Sequence, residues 1–189
     1  MRSRWKSQLC HAGAVAAMTI AIAWGRPLSP RVSRDNNVAS VTVAQTSDPV
    51  RLLKGTVWVP LRQPGFDTRL TPEVLRSILN GQHLRLVLKD ISADAQPGSA
   101  FNVYLGLAQA AAPAKDDSHY VGRFSFYNEI NAGALKATPS VRTYDITPLV
   151  KRLLASGTLG DPVGVTIAPE RTPDANANPT IGRIEIVKP

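Results

Sequence analysis

Past Lys54 the chain falls into short runs in which apolar and polar side chains alternate, the period of a strand with one buried face. The clearest run is His119 to Asn128, HYVGRFSFYN, where Tyr120, Arg123, Ser125 and Tyr127 are interleaved with Val121, Phe124 and Phe126. Its aromatic and β-branched content suits a pleated surface and predicts a central strand of an antiparallel sheet. The isolated Gly122 within it predicts a bulge or a close approach by another group. Similar runs occupy GTVWVPL, with Val57 and Val59 on one face and Trp58 on the other, HLRLVLKDI from His83 to Ile91, and FNVYLGL from Phe101 to Leu107. Val141 to Ile146, Val163 to Ala168 and Thr180 to Val187 complete the set. Pro60 restricts the first of these to an edge or a strand end, because proline cannot donate to the ladder.

Two segments carry the helical period instead. Thr71-Pro72-Glu73 predicts a helix start: a threonine oxygen to cap free amides, a proline preset for the first turn and a carboxylate at the positive end of the dipole. Val74, Leu75, Ile78 and Leu79 then form one stripe, and Gly81 ends it. Thr147-Pro148 predicts a second start of the same kind, with Leu149, Val150, Leu153 and Leu154 on the buried side and Gly157 as the stop. Asp90 and Asp94 are expected in turns, Gln96-Pro97-Gly98-Ser99 turns the chain, and long loops are expected from Ala108 to Ser118 and from Asn131 to Ser140. Regularly spaced strands with turn signals and two brief helices predict an all-β fold, an antiparallel β-sandwich of the jelly-roll kind.

The 189 residues suffice for one buried domain with a processed end. Residues 1–23 read as an export signal. Arg2, Arg4 and Lys6 precede the apolar run Leu9 to Ala23, Ala21-Ile22-Ala23 fits a small-x-small cleavage site, and the run is short for a bilayer span. An uncleaved membrane anchor is the alternative, with Trp24 and Arg26 at the interface. Residues 24–53, rich in proline, serine and asparagine, read as a flexible linker, with Val38, Val41 and Val43 as a candidate short strand, and 54–189 as the sandwich. Cleavage would remove Cys10, the single cysteine, and would lower the formal charge by three, from +8 to +5. The remaining cations are scattered, which argues against a nucleic-acid footprint. An exported, periplasmic or secreted protein is expected, in contact with membrane only if the N-terminal segment stays.

Catalytic patterns are sparse. Gly157, Gly160 and Gly164 lack the spacing of a phosphate loop, and neither Ser99 nor Ser125 sits in a nucleophile elbow. His119 with Asp116 and Asp117 is the one thinkable metal cluster; the plainer expectation is a strand-capping histidine beside solvated loop carboxylates. Tyr104, Tyr120, Tyr127 and Tyr144 are expected in the core or at an interface, and would form a sugar platform if two shared an exposed face.

The ordered segments FNVYL (101–105), HYVGRF (119–124), YDIT (144–147), VTI (165–167) and IGRIEI (181–186) resemble the C-terminal β-sandwich domain of type-3 copper proteins: tyrosinases, plant polyphenol oxidases and molluscan haemocyanins. The resemblance runs from Lys54 to the C-terminus. It departs from haemocyanin domains in lacking their cysteine pair and tryptophan-bearing segment, where this chain has Ile130 to Arg142. In that family the sandwich covers a dicopper site held by six histidines of a preceding helical domain. The resemblance therefore implies a freestanding, non-enzymatic lid or stabiliser with no cofactor of its own, acting in trans on a type-3 copper oxidase. Leu105, Leu107 and Tyr120, near the Ala108 to Ser118 loop, are the candidate partner contacts. The alternative function is an envelope-associated carbohydrate- or surface-binding module that keeps only the fold.

Overall fold

Where apolar and polar positions alternate, strands form, and their buried faces meet. The computed structural model describes residues 40–53, 55–109, 113–114, 117–127 and 140–189, all within one compact unit, Asn37–Pro189. The strands among them are β1 (Val41–Gln45), β2 (Val50–Arg51), β3 (Val57–Pro60), β4 (Arg85–Ser92), β5 (Ala100–Leu105), β6 (Tyr120–Ser125), β7 (Ser140–Asp145), β8 (Gly164–Pro169) and β9 (Thr180–Lys188). One antiparallel sheet has the order β1-β9-β4-β7, with β2 also pairing β9, and the other the order β3-β8-β5-β6. Each sheet interleaves strands from the two halves of the chain, which is the jelly-roll arrangement expected.

Between the sheets lies one core. Leu86, Leu88, Ile184 and Ile186 of the first sheet face Phe101, Val103, Leu105, Val165 and Ile167 of the second. Phe101, Phe124 and Phe126 form an aromatic cluster with ring centroids 5.4–5.6 Å apart. Burying each such ring contributes about 1.5–3 kcal/mol. Helix α1 (Pro72–Ile78) buries Leu75 and helix α2 (Thr147–Ser156) buries Leu149, Val150 and Leu153 in the same core.

Local chemistry sets the helix ends. The Thr71 Oγ1 accepts from the Val74 amide at 3.5 Å, as its position implies, and Gly157 ends α2 in the left-handed conformation. The start of α2 differs from expectation. The Thr147 hydroxyl does not cap the helix: it accepts from the Leu84 amide at 2.8 Å and ties α2 to the entry of β4. Asp145 takes over instead, accepting from the Thr147 amide at 2.9 Å.

Several expectations are corrected. Strands β1 and β2 lie within residues 24–53, and both pair with β9, so the sheet begins at Val41 and not after a linker ending at Leu53. The candidate strand at Val41 and Val43 is β1, whereas β2 has no pattern of its own and is revealed only by its long partner strand. Asp90 is not in a turn but in β4, at a register shift, with φ of 54°. The His119–Asn128 segment is not a central strand: β6 is the edge of its sheet, paired to β5 alone. The signal-like residues 1–23, Val38, Asp116 and most of the Asn131–Ser140 loop lie outside the described residues.

Gly122 shows how that edge is closed. Strands β6 and β7 are edges of opposite sheets and run beside one another. The Tyr144 ring of β7 lies on Gly122, so close that a Cβ there would sit 2.6 Å from a ring carbon. The Tyr144 hydroxyl donates to the Arg123 carbonyl at 3.2 Å, and burial pushes its phenol above the ordinary value. Gly122→Ala should therefore cost about 1–3 kcal/mol, the usual range for overpacking. Chemical denaturation of Gly122→Ala alone and with Tyr144→Ala checks this, since removing the ring should recover most of the added loss.

Candidate partner-contact surface

The sequence candidates separate by burial. Leu105 is fully buried in the inter-sheet core, and Leu107 is 6% exposed. Neither offers side-chain surface to a partner, because Leu105 follows the inward alternation of β5 and Leu107 sits where the Trp58 indole donates to its carbonyl at 3.0 Å. Tyr120 alone of the three is open, 41% exposed on edge strand β6, with its ring edge-on to Tyr104 at 5.6 Å.

The tyrosines build no common platform. Tyr104 is 2% exposed and Tyr144 is packed on Gly122. Tyr120 and Tyr127 are exposed, yet seven residues of extended chain set them roughly 20 Å apart.

His119 is held as a clasp. Its Nδ1 meets Asp117 Oδ1 at 2.8 Å and its Nε2 faces the Thr158 carbonyl at 3.0 Å, so both ring nitrogens have protein partners. Asp117 also accepts from the His119 amide at 2.8 Å, and Arg152 donates to the Ser118 carbonyl. Asp117 is thus a bonded, mostly buried carboxylate and not a solvated loop charge. Among the described residues no group of three or more histidine, cysteine, aspartate or glutamate side chains is placed to hold a metal ion.

These carboxylates have a pH consequence. Burial alone would raise the Asp117 value, but the hydrogen bonds and charge of His119 outweigh it and hold the carboxyl below the usual range. Asp145 is lowered by the side chain and amide of Thr147. Groups depressed in the folded state stabilise it above the ordinary carboxylate range, and this contribution is lost as pH falls through the lowered values. Thermal melts should be level from neutrality to about pH 5 and decline below it, with a shallower decline for Asp145→Asn. An equal slope in the variant would remove Asp145 from the account.

Periodicity passes over Phe66, an exposed aromatic side chain on a turn. Gln63-Pro64-Gly65-Phe66 forms a type II turn, with Gly65 at φ of 76° and the Phe66 amide donating to the Gln63 carbonyl at 3.2 Å. The turn is braced on both sheets. Gln45 of β1 and Arg62 exchange two backbone bonds of 2.8 Å. Leu61 and Leu70, both fully buried, pair with each other and with Val163, next to β8. Arg62 pairs with Asp67 across the turn. Phe66 is left 70% exposed. Phe66 borders a shallow groove of about 250 Å³ with Thr46, Ser47, Arg62 and Asp67, and Ser47 and Arg62 also border a slot of about 270 Å³ between β2 and β3, with Val50, Val57, Val59 and Pro60 in its walls. A proline-glycine pair between two buried leucines is the sequence signal that marks this turn.

The described residues thus define an all-β jelly-roll module that presents an aromatic side chain on a braced turn. Residues 42–189 match the family described as Domain of unknown function (DUF7868), and the chain belongs to that family. None of the curated proteins matches it. Among solved structures, the chain is similar to a recombinantly expressed latent aurone synthase (polyphenol oxidase), with 24% identity and a TM-score of 0.47 over 76% of this chain and 26% of that one. It is also similar to latent apple tyrosinase, with 18% identity and a TM-score of 0.45 over 75% of this chain and 27% of the other. The chain spans about a quarter of the length of these enzymes. Among the described residues no helix is long and apolar enough to cross a membrane.

Proposed function

We propose that this protein is an exported, non-catalytic domain that covers or stabilises a separate copper oxidase of the tyrosinase class. Two things support the reading: the ordered sequence segments that resemble the C-terminal sandwich of type-3 copper proteins, and the Phe66 turn, which carries it on this chain. An exposed phenylalanine on a turn braced by two sheets loses little freedom on docking, so its burial in a partner's opening would count almost fully toward affinity. The half-buried Val57 and Val59 of the slot that shares Arg62 extend that surface, an apolar patch with a polar border being the usual mark of a protein contact.

The experiment is a tagged purification of the chain from its own host, with co-purifying proteins identified and copper assayed, in parallel with Phe66→Ser. The expected result is a histidine-rich, copper-loaded companion that the variant retains at least tenfold less well, a hot-spot loss of 2 kcal/mol or more being about thirtyfold. Adding the purified domain to that companion should slow its oxidation of diphenols, and the variant should not. A chain that purifies alone and free of copper would overturn the reading.

A further inference from the structure

A second surface, on the opposite face of β5 from the core, carries an inference independent of the lid. The register places Trp58, Thr166, Tyr104 and Tyr120 in one row across the outer face of the β3-β8-β5-β6 sheet, with Ala168, Asn102 and Arg123 in the next. An outward-facing row of a two-layer sandwich normally meets solvent, yet Thr166 and Tyr104 are 1% and 2% exposed. The chain leaving β5 accounts for part of this cover: Leu107 receives the Trp58 indole, and Pro113 lies across from Tyr104 and Asn102. Beneath it remains a cleft of about 410 Å³, lined by Asn102, Tyr104, Pro113, Ala168, Glu170 and Arg171 together with Pro169. That volume is at the lower end of the range for small-molecule sites, enough for about one ring and its substituents.

The charges in the cleft do not cancel. Glu170 is engaged by Arg123 at 2.8 Å, whereas the guanidinium of Arg171 has no ion-pair partner among the described residues. The backbone that carries the two residues is fixed: the Glu170 amide donates to the Ala100 carbonyl at 2.9 Å and the Arg171 amide to Ser99 Oγ at 3.1 Å. One uncompensated guanidinium matches one carboxylate, which it binds through two parallel hydrogen bonds. Asn102 and the Glu170 carboxylate supply acceptors for hydroxyl groups. Pro113, Pro169 and Ala168, each half-buried, supply apolar walls for a ring, and the buried Tyr104 closes the floor. Burial, and secondarily the nearby Asp117, hold the Tyr104 phenol above its ordinary value.

We propose that this cleft binds a small hydroxylated monocarboxylate, its carboxylate on Arg171, its hydroxyls on Asn102 and Glu170, and its ring against Pro113 and Pro169. A sugar acid and a hydroxylated aromatic acid share this chemistry, and the test separates them. The full chain is titrated with glucuronate, 3,4-dihydroxybenzoate, glucose and acetate, read by amide chemical shifts and by calorimetry. The expected result is saturable binding of at least one hydroxylated acid, with shifts at Asn102, Tyr104, Ala168 and Arg171, and binding about tenfold or more weaker for glucose and for acetate, each of which lacks half of the recognised groups. Glucuronate alone identifies the sugar acid, and dihydroxybenzoate alone the aromatic one. Arg171→Ala, at an exposed position, should weaken binding by a similar factor with an unchanged melting temperature. Ala168→Leu fills the cleft and leaves the charge in place, so it should also weaken binding; if it does not fold, Arg171→Ala decides. Absence of binding by both acids, equal binding of acetate, or unchanged binding by Arg171→Ala would overturn the proposal.

Discussion

Phe101→Ala should destabilise the domain by about 3–5 kcal/mol, the range for emptying a buried aromatic position. Phe101 has no solvent exposure and is the hub of the aromatic cluster, stacked on Phe124 at 5.5 Å and edge-on to Phe126 at 5.4 Å. Its neighbours are held from both sides, by β6 across one ladder and by Pro169 of β8 across the other, so the cavity cannot close by a small shift. Against a typical domain stability of about 5–15 kcal/mol, the variant would stand near the threshold of folding. Urea denaturation of the two proteins measures the difference. A loss below about 1 kcal/mol would mean that the cluster is loosely packed and that the two sheets are held elsewhere.

Leu107→Asp should have an effect of similar size by a different route. The side chain is buried, 6% exposed, on the segment that leaves β5, where the Leu107 carbonyl receives the Trp58 indole. An uncompensated buried charge costs roughly 3–5 kcal/mol, so the melting temperature should fall steeply, while Tyr120→Ser on the exposed edge should stay within about 1 kcal/mol of the parent. A Leu107→Asp protein that melts like the parent but no longer retains its companion would restore Leu107 as a contact. The same pair of variants therefore tests whether burial or partner contact governs the residues beside the β5–β6 connection.

Much of the scaffold was legible because its causes are local. Alternation in β4, β5, β8 and β9 reports which side chains face the core, since successive Cβ atoms point to opposite faces whatever the strand's neighbours are. Thr71, Pro72 and Gly157 mark helix ends because they act on backbone groups a few residues away. The isolated Gly122 announced a close approach, and Tyr144 is the group that approaches. Where the cause is distant the reading fails. β6 shows strong alternation yet lies at an edge, because pairing depends on which strands return beside it. β2 is too short to show a period, and both it and β1, whose valines offered a candidate strand, are held by β9, more than 120 residues later in sequence as the register pair of Val50 and Ile181 shows.

The contact surface divides in the same way. Leu105, Leu107 and Tyr120 lie close together in sequence and near one loop, but exposure depends on what covers each, and the fold buries the leucines and leaves the tyrosine open. Phe66 had a local signal, the turn-forming Pro64-Gly65, but its prominence comes from the bracing of Leu61, Arg62 and Leu70 by β1 and by Val163. By itself the sequence determined the all-β class, the two helices and the inward faces of the longer strands, because propensity and side-chain alternation act over a few residues. Only the tertiary structure decided which strands are edges, which loop residues are covered and where the Arg171 cleft and the Phe66 turn stand open. Those properties follow from pairings between distant segments, and no local pattern encodes them.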